Sequence, residues 1–299
     1  MTNYRTCCKP RTKAPRIYKK VYLTLGGGLG DVIYDYLGGH RFWNKLEPLK
    51  IAHPEIRIKV MSSTHNLQSL ELIRYNPYID RMEEYGWQTD GKPIFKRNAG
   101  GYINIKNIKQ ELSKLPSRPP GIYLNQRDKE TVSNISSQGS FIFIHPFAGL
   151  QDRMPYRPSS QFVPIIDNII KNTNHNVVIV GSNHIRNNMK KKVDIREEFS
   201  YEGDRVFNLV NKPEMNVRVA VKLAQRAHGF LGAWSCFSCT FWALKKKSMV
   251  LVPMSKKDKL AKRFKPGGRW HRRGICKAVY IKEDTQISNV INRVLKFYG

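Results

Sequence analysis

The stretch Lys20-Val-Tyr-Leu-Thr-Leu25-Gly26-Gly-Gly-Leu-Gly30-Asp31-Val-Ile-Tyr-Asp-Tyr-Leu37 decides the fold. Its first six residues read as a buried strand, Gly26–Asp31 as a glycine-rich turn, and the residues from Asp31 onward as a helix. Strand, glycine turn and helix in that order open a Rossmann-like α/β layer. Glycines let the backbone approach a ligand, and the N-terminus of the following helix favours anions. The order Gly-Gly-Gly-Leu-Gly-Asp departs from the G-x-G-x-x-G fingerprint, and no ribose-binding acid is well placed. That argues against a dinucleotide-dependent oxidoreductase. Asp31 has two readings: a first-turn carboxylate that steadies the helix dipole, or a general base facing a cleft.

Working outward, Ile56–Val60 alternates as a second strand and Ser69–Arg74 suggests a helix. Residues 86–101 are loop-rich, and Pro116–Gly121 marks a bend. The second half restarts the same grammar. Strands are expected at Phe141–Ile144, Val177–Gly181, Phe207–Leu209, Phe230–Gly232 and Met249–Val252. Helices are expected at Gln161–Lys171, Val217–His228, Cys236–Leu244 and Thr285–Tyr298. Alternation of strands and helices, twice over, predicts an α/β protein of two Rossmann-like domains facing an interdomain cleft. The expected division is a basic arm over 1–18, an N-terminal acceptor domain over 19–125, and a C-terminal domain over 140–284 with a basic loop at 256–282.

Two further stretches carry chemistry. His145-Pro-Phe-Ala-Gly149 ends a strand where α/β ligands bind, and Arg153 stands within reach of a diphosphate. In Gly229-Phe-Leu-Gly-Ala-Trp234-Ser235-Cys236 a strand ends and a helix opens, so free amides and the Ser235 hydroxyl face a possible phosphate. Trp234, Phe241 and Trp242 read as core or stacking walls. The five cysteines are Cys7, Cys8, Cys236, Cys239 and Cys276. Cys236-Phe-Ser-Cys239 has zinc-knuckle spacing without a matching second pair, and reduced buried thiols are the preferred reading.

The chain carries 52 Lys and Arg against 23 Asp and Glu, a formal net charge of +29 over 299 residues. Such a surface calls for an anionic partner. With 40% hydrophobic residues, the composition excludes a disordered basic tail protein. Residues 1–20 hold seven Lys and Arg and no acid; residues 256–282 hold eleven against Asp258 alone. These two segments supply 17 of the 29 net charges. No apolar run is long enough to cross a membrane and no signal peptide is evident, so a cytoplasmic protein is expected, in host cytoplasm if viral.

In their order and spacing, Gly28–Ile33, Ala52–Val60, His145–Gly149, Pro158–Phe162, Val177–Gly181 and Gly232–Leu244 resemble glycosyltransferase family 9, the heptosyltransferase-like GT-B enzymes. The resemblance spans about 20–255. It implies a nucleotide-sugar donor held mainly by the C-terminal domain and hexosyl or pentosyl transfer without a metal or other cofactor. It implies Asp31 as catalytic base and Gly28, Gly30, His145, Gly149, Arg153, Gly181, Trp234, Ser235 and Cys236 as donor-binding residues. It also implies that the helix over 285–299 crosses back onto the first domain. Where the family reads Gly-Asn-Asp-Ser-Gly-Pro-Met-His, this chain reads Gly232-Ala-Trp-Ser-Cys-Phe-Ser-Cys239, which points to a donor pocket altered by Trp234 or Phe237.

The basic segments bear on the acceptor. Arg263-Phe-Lys-Pro-Gly-Gly-Arg-Trp-His-Arg-Arg273 interleaves charge with aromatics, as a clamp on a nucleic-acid backbone does. Arg263, Lys265, Arg269, Trp270, Arg272 and Arg273 are the expected nucleic-acid contacts. Some DNA-modifying glycosyltransferases of bacterial viruses are GT-B enzymes, and a flipped base would present its hydroxymethyl group to Asp31. The favoured acceptor is therefore a hydroxymethylated pyrimidine in DNA. The alternative is a lipopolysaccharide-type acceptor with peripheral membrane contact. A non-catalytic nucleic-acid-binding protein on the same scaffold is a third reading.

Overall fold

The computed structural model describes residues 19–25, 29–38, 42–63, 67–85, 102–147, 158–182, 184–187, 192–195, 199–253, 275–282 and 285–299. The N-terminal half is built from β1 (Lys20–Leu25), α1 (Leu29–Leu37), α2 (Leu46–Ala52), β2 (Arg57–Ser63), α3 (Leu67–Ile73), β3 (Arg81–Tyr85), β4 (Ile103–Asn104) and α4 (Lys109–Ser113). Its four strands are parallel, in the order β3-β2-β1-β4. Val21, Leu23 and Leu25 alternate inward from β1 and meet Val32, Ile33 and Tyr36 of α1 in one core. Removing such side chains from water is the main stabilising term.

After a connecting stretch, α5 (Gln126–Ser136) leads into the second half. There β5 (Phe141–His145), α6 (Pro158–Asn172), β6 (Asn176–Ile179), β7 (His184–Asn187), β8 (Lys192–Ile195) and β9 (Val206–Asn208) come first. They are followed by α7 (Val217–Arg226), β10 (Gly229–Ala233), α8 (Cys236–Ala243), β11 (Lys247–Pro253), β12 (Cys276–Ile281) and α9 (Ile287–Tyr298). Six parallel strands run in the order β12-β11-β10-β5-β6-β9, while β7 and β8 form a separate antiparallel hairpin. β5 and β10 are buried at every position, as a central parallel sheet covered on both faces requires. Residues of α5, α7 and α8 fill one face, and those of α6 and α9 the other. The expected α/β class with two parallel sheets is the observed one.

Two expectations are corrected. The last helix does not cross back onto the N-terminal half. The apolar face of α9, with Val290, Val294 and Phe297, packs beside α6 against Val279 and Ile281 of the edge strand, and the Tyr298 hydroxyl donates to the Phe230 carbonyl. There the apolar face of α9 is buried in the same core as Phe162, Ile165 and Ile169 of α6. The expected basic loop over 256–282 also ends in regular structure, since β12 pairs with β11 along its whole length. The stretches 1–18 and 254–274 lie outside the described residues. Among the described residues, no helix is long and apolar enough to cross a membrane.

One buried ionic cluster joins the halves. Arg218 of α7 is 4% exposed and donates through Nε to Asp128 Oδ2 of α5 at 3.0 Å. Its Nη1 donates to both the carbonyl and Oε2 of Glu71 in α3, each at 2.8 Å. Asn216 Nδ2 occupies the other Asp128 oxygen at 2.7 Å, and the Tyr75 ring covers the guanidinium at 4.8 Å. The connecting stretch is tied down separately: the buried Tyr36 hydroxyl donates to the Gly121 carbonyl at 2.8 Å and accepts from Asn76 at 3.0 Å. Burial pushes the Tyr36 pKa up.

Arg218→Ala leaves Asp128 buried without its cation and is expected to cost about 3–5 kcal/mol, read as a lower urea midpoint. A pH dependence is expected at the other end of the second sheet. The His175 and His228 rings lie 4.3 Å apart, and Ser140 Oγ meets His175 Nδ1 at 2.9 Å. Partial burial lowers both pKa values, Lys247 adds to both, and at His228 the neighbouring His175 and Lys246 add further. A hydrogen bond to the Tyr298 backbone opposes the shift at His175. Folded values below the unfolded one mean that unfolding takes up protons. Their contribution is complete above about pH 6.5 and is lost as pH falls through and below it. The melting temperature is expected to be lower at acid pH than at neutral pH, and less so in His228→Asn.

Candidate functional site

The order of the six-stranded sheet reverses between β5 and β10, so the chain leaves their adjacent carboxyl ends in opposite directions and opens a crevice there. His145 is the last residue of β5 and pairs in register with Gly232 of β10. A Cβ at Gly232 would collide with the His145 carbonyl, so this close strand contact demands glycine. The His145 ring stands edge-on to Phe237 at 5.0 Å and to Phe147 at 6.1 Å. It is 8% exposed. Gly181, just beyond β6, closes the other side. Its φ of +134° is a glycine conformation, and a Cβ there would lie 2.6 Å from Phe147 and 3.1 Å from His145 Nε2.

Between β10 and α8, Ser235 is the helix N-cap. Its Oγ accepts from the Phe237 amide at 3.3 Å, and Ser238 Oγ in turn accepts from the Ser235 amide at 3.3 Å. A capping box is thus in place, and the Ser235 hydroxyl anticipated as a phosphate ligand holds the helix start. Cys236 opens α8 and has its thiol pKa pushed up to about 12, chiefly by burial. That makes it a packing residue, not a nucleophile. Cys236, Cys239 and Cys276 are not in disulfides, and among the described residues no three His, Cys, Asp or Glu side chains converge to hold a metal.

The crevice faces the N-terminus of α1. A Cβ on Gly30 would lie 3.1 Å from the Cys236 Cα and 3.5 Å from the Cys239 Sγ, so α1 and α8 begin against each other. Tyr34 of α1 stacks on Trp242 of α8, with centroids 4.5 Å apart and planes 11° from parallel. Two helix starts, each carrying partial positive charge, are therefore held together at the carboxyl ends of β1, β5 and β10. Asp31 occupies the first turn of α1 and is exposed. One carboxylate beside two helix N-termini suits proton abstraction next to a bound anion.

The structure brings together Gly30, Asp31, His145, Gly181, Trp234, Ser235 and Cys236 at the strand ends or helix starts just described. Gly28, Gly149 and Arg153 lie outside the described residues, as do Arg263, Lys265, Arg269, Trp270, Arg272 and Arg273. Sequence reading missed the Tyr34–Trp242 stack and the Arg218 cluster. The one signal for the latter was an arginine between Val217 and Val219 at the start of an apolar helix face. Gly181→Ala is expected to cost at least about 2 kcal/mol, from the positive φ and the clash with Phe147 together, and Gly30→Ala less; thermal unfolding of both variants checks this.

No family model matches the chain, and no curated protein matches it in sequence. Solved structures do match. A glycosyl transferase family 9 protein from Veillonella parvula has 11% identity over 93% of this chain and 91% of its own, with a TM-score of 0.51. The ADP-heptose lps heptosyltransferase II of E. coli has 16% identity over 93% of this chain and 98% of its own, with a TM-score of 0.50. The described architecture of two parallel α/β sheets, of four and six strands, is similar in fold to GT-B heptosyltransferases.

Proposed function

We propose that this chain is a glycosyltransferase that moves a sugar from a nucleoside-diphosphate sugar to an acceptor hydroxyl. The observation that carries the proposal is the junction of α1 and α8 at Gly30 and Cys236, which sets Asp31 beside the anion-favouring start of α8. The fold likeness to an ADP-heptose heptosyltransferase supports it.

In this reading the diphosphate lies at the β5/β10 crevice. The positive N-terminal end of α8 and the Ser235 hydroxyl stabilise the charge that develops as the glycosidic bond breaks. Arg153 is assigned the same role from the sequence resemblance. His145, Gly181 and Trp234 shape the donor pocket. Asp31 takes the proton from the acceptor hydroxyl as its oxygen attacks the anomeric carbon, and the nucleoside diphosphate leaves with the bonding pair. The donor favoured by the fold likeness is ADP-heptose or a related nucleotide sugar. Trp234, where the resembled family carries an acid, changes the surface the donor meets.

For the acceptor, the heptosyltransferase likeness favours a saccharide of lipopolysaccharide type. The hydroxymethylated-DNA reading rests on the charge of segments outside the described residues and is the second arm of the test. Purified protein is incubated with a panel of nucleotide sugars and with either a lipopolysaccharide inner-core saccharide or hydroxymethylated duplex DNA, and products are weighed by mass spectrometry. Asp31→Asn is expected to lower transfer by about a hundredfold or more while donor binding changes little. Full activity in that variant would remove Asp31 from the mechanism, and no sugar transfer with any donor would overturn the proposal.

A further inference from the structure

A second cavity, of about 500 Å³, lies away from this crevice. Its walls come from Tyr75 and Pro77, which follow α3, from residues 122–124 of the connecting stretch, and from α5 and α7. Tyr75 and Arg226 stand at the C-terminal ends of α3 and α7, whereas the crevice lies at the N-terminal ends of α1 and α8. The volume falls in the range of small-molecule sites.

Its chemistry is two-sided. Ile122 and Val132 give a buried apolar floor, and the Tyr75 and Tyr123 side chains add aromatic surface. Lys129 from α5 and Lys222 and Arg226 from α7 bring three cations to the rim. No described carboxylate pairs with any of the three. The nearby acids are engaged elsewhere: Asp128 and Glu71 hold Arg218, and Glu130 accepts from Gln126. Three uncompensated cations around an apolar floor match a ligand with an anionic head and an apolar or aromatic body.

We propose that this cavity binds a phosphate ester carried on an apolar body. The site straddles both halves, since Tyr75 belongs to the first and Lys222 and Arg226 to the second. It stands independently of the glycosyltransferase reading. The ester has two possible sources, a soluble aryl or nucleoside phosphate and a lipid headgroup, which share the head and differ in the body.

The test is calorimetric titration of the full chain at low salt with inorganic phosphate, phenyl phosphate and monomeric dihexanoylphosphatidic acid. Both esters are expected to bind more tightly than inorganic phosphate. Lys222→Ala/Arg226→Ala is expected to weaken them about tenfold or more. Lys109→Ala/Lys114→Ala, the same charge change on exposed residues at the start of α4 and just after it, leaves ester binding unchanged. ADP binding stays as in the wild type in both variants, which separates this site from the proposed donor site. A preference for phenyl phosphate identifies the soluble source, and a preference for the phosphatidic acid the lipid one. Unchanged ester binding in Lys222→Ala/Arg226→Ala, or an equal loss in the α4 variant, overturns the site.

Discussion

The Arg218 guanidinium is the constraint on which the arrangement of the two halves depends. It is buried, and its charge is matched by Asp128 in the helix after the connecting stretch and by Glu71 in the N-terminal half. A buried arginine is tolerated only where its donors meet acceptors in good geometry. Here the acceptors come from α3 and α5, so one side chain sets α3, α5 and α7 relative to one another. Around it the contact is apolar: Val221 of α7 belongs to the core of the N-terminal half, and Leu124 packs against the cores of both halves. Apolar burial drives the contact, and the charged cluster selects its register.

That register has a chemical consequence. With α7 seated on α3, its neighbour α8 meets α1, and the absence of a side chain at Gly30 lets their first turns touch. Each helix start leaves amides unpaired within the helix. In α8 the capping box satisfies some of them and orients the rest. The proposed chemistry uses this geometry directly, because an anion at one helix start and a carboxylate on the other are what transfer from a nucleotide sugar to a hydroxyl requires. The stack of Tyr34 on Trp242 resists sliding of one helix over the other.

The charge takes a different place in this picture. Much of the +29 sits in two segments of sequence outside the described residues. Within the described residues the cations are partly committed: Lys59 pairs with Glu83 at 3.0 Å and lies over the Tyr102 ring, and Lys50 pairs with Asp80 at 2.8 Å. Lys129, Lys222 and Arg226 are not, and they gather at one cavity. Net charge therefore describes an appetite for anions, whereas these three cations mark one place where it can be met.

The sequence by itself determined the class of fold and the strand ends and helix starts that border the crevice. Lys20–Asp31 reads as strand, glycine turn and helix because alternation and glycine act locally, and His145, Gly181 and Ser235 are legible because each ends a strand or starts a helix. The residues missed were those whose role depends on a partner far along the chain. Arg218 looks like any helix arginine until Glu71, 147 residues earlier, reaches it. The face of α9 reads as amphipathic, but whether it turns to the first half or to α6 is a competition between surfaces, which pattern alone does not encode. Only the tertiary structure decided that competition, and with it the meeting of α1 and α8, because contact between distant segments is settled by packing and burial and not by local propensity.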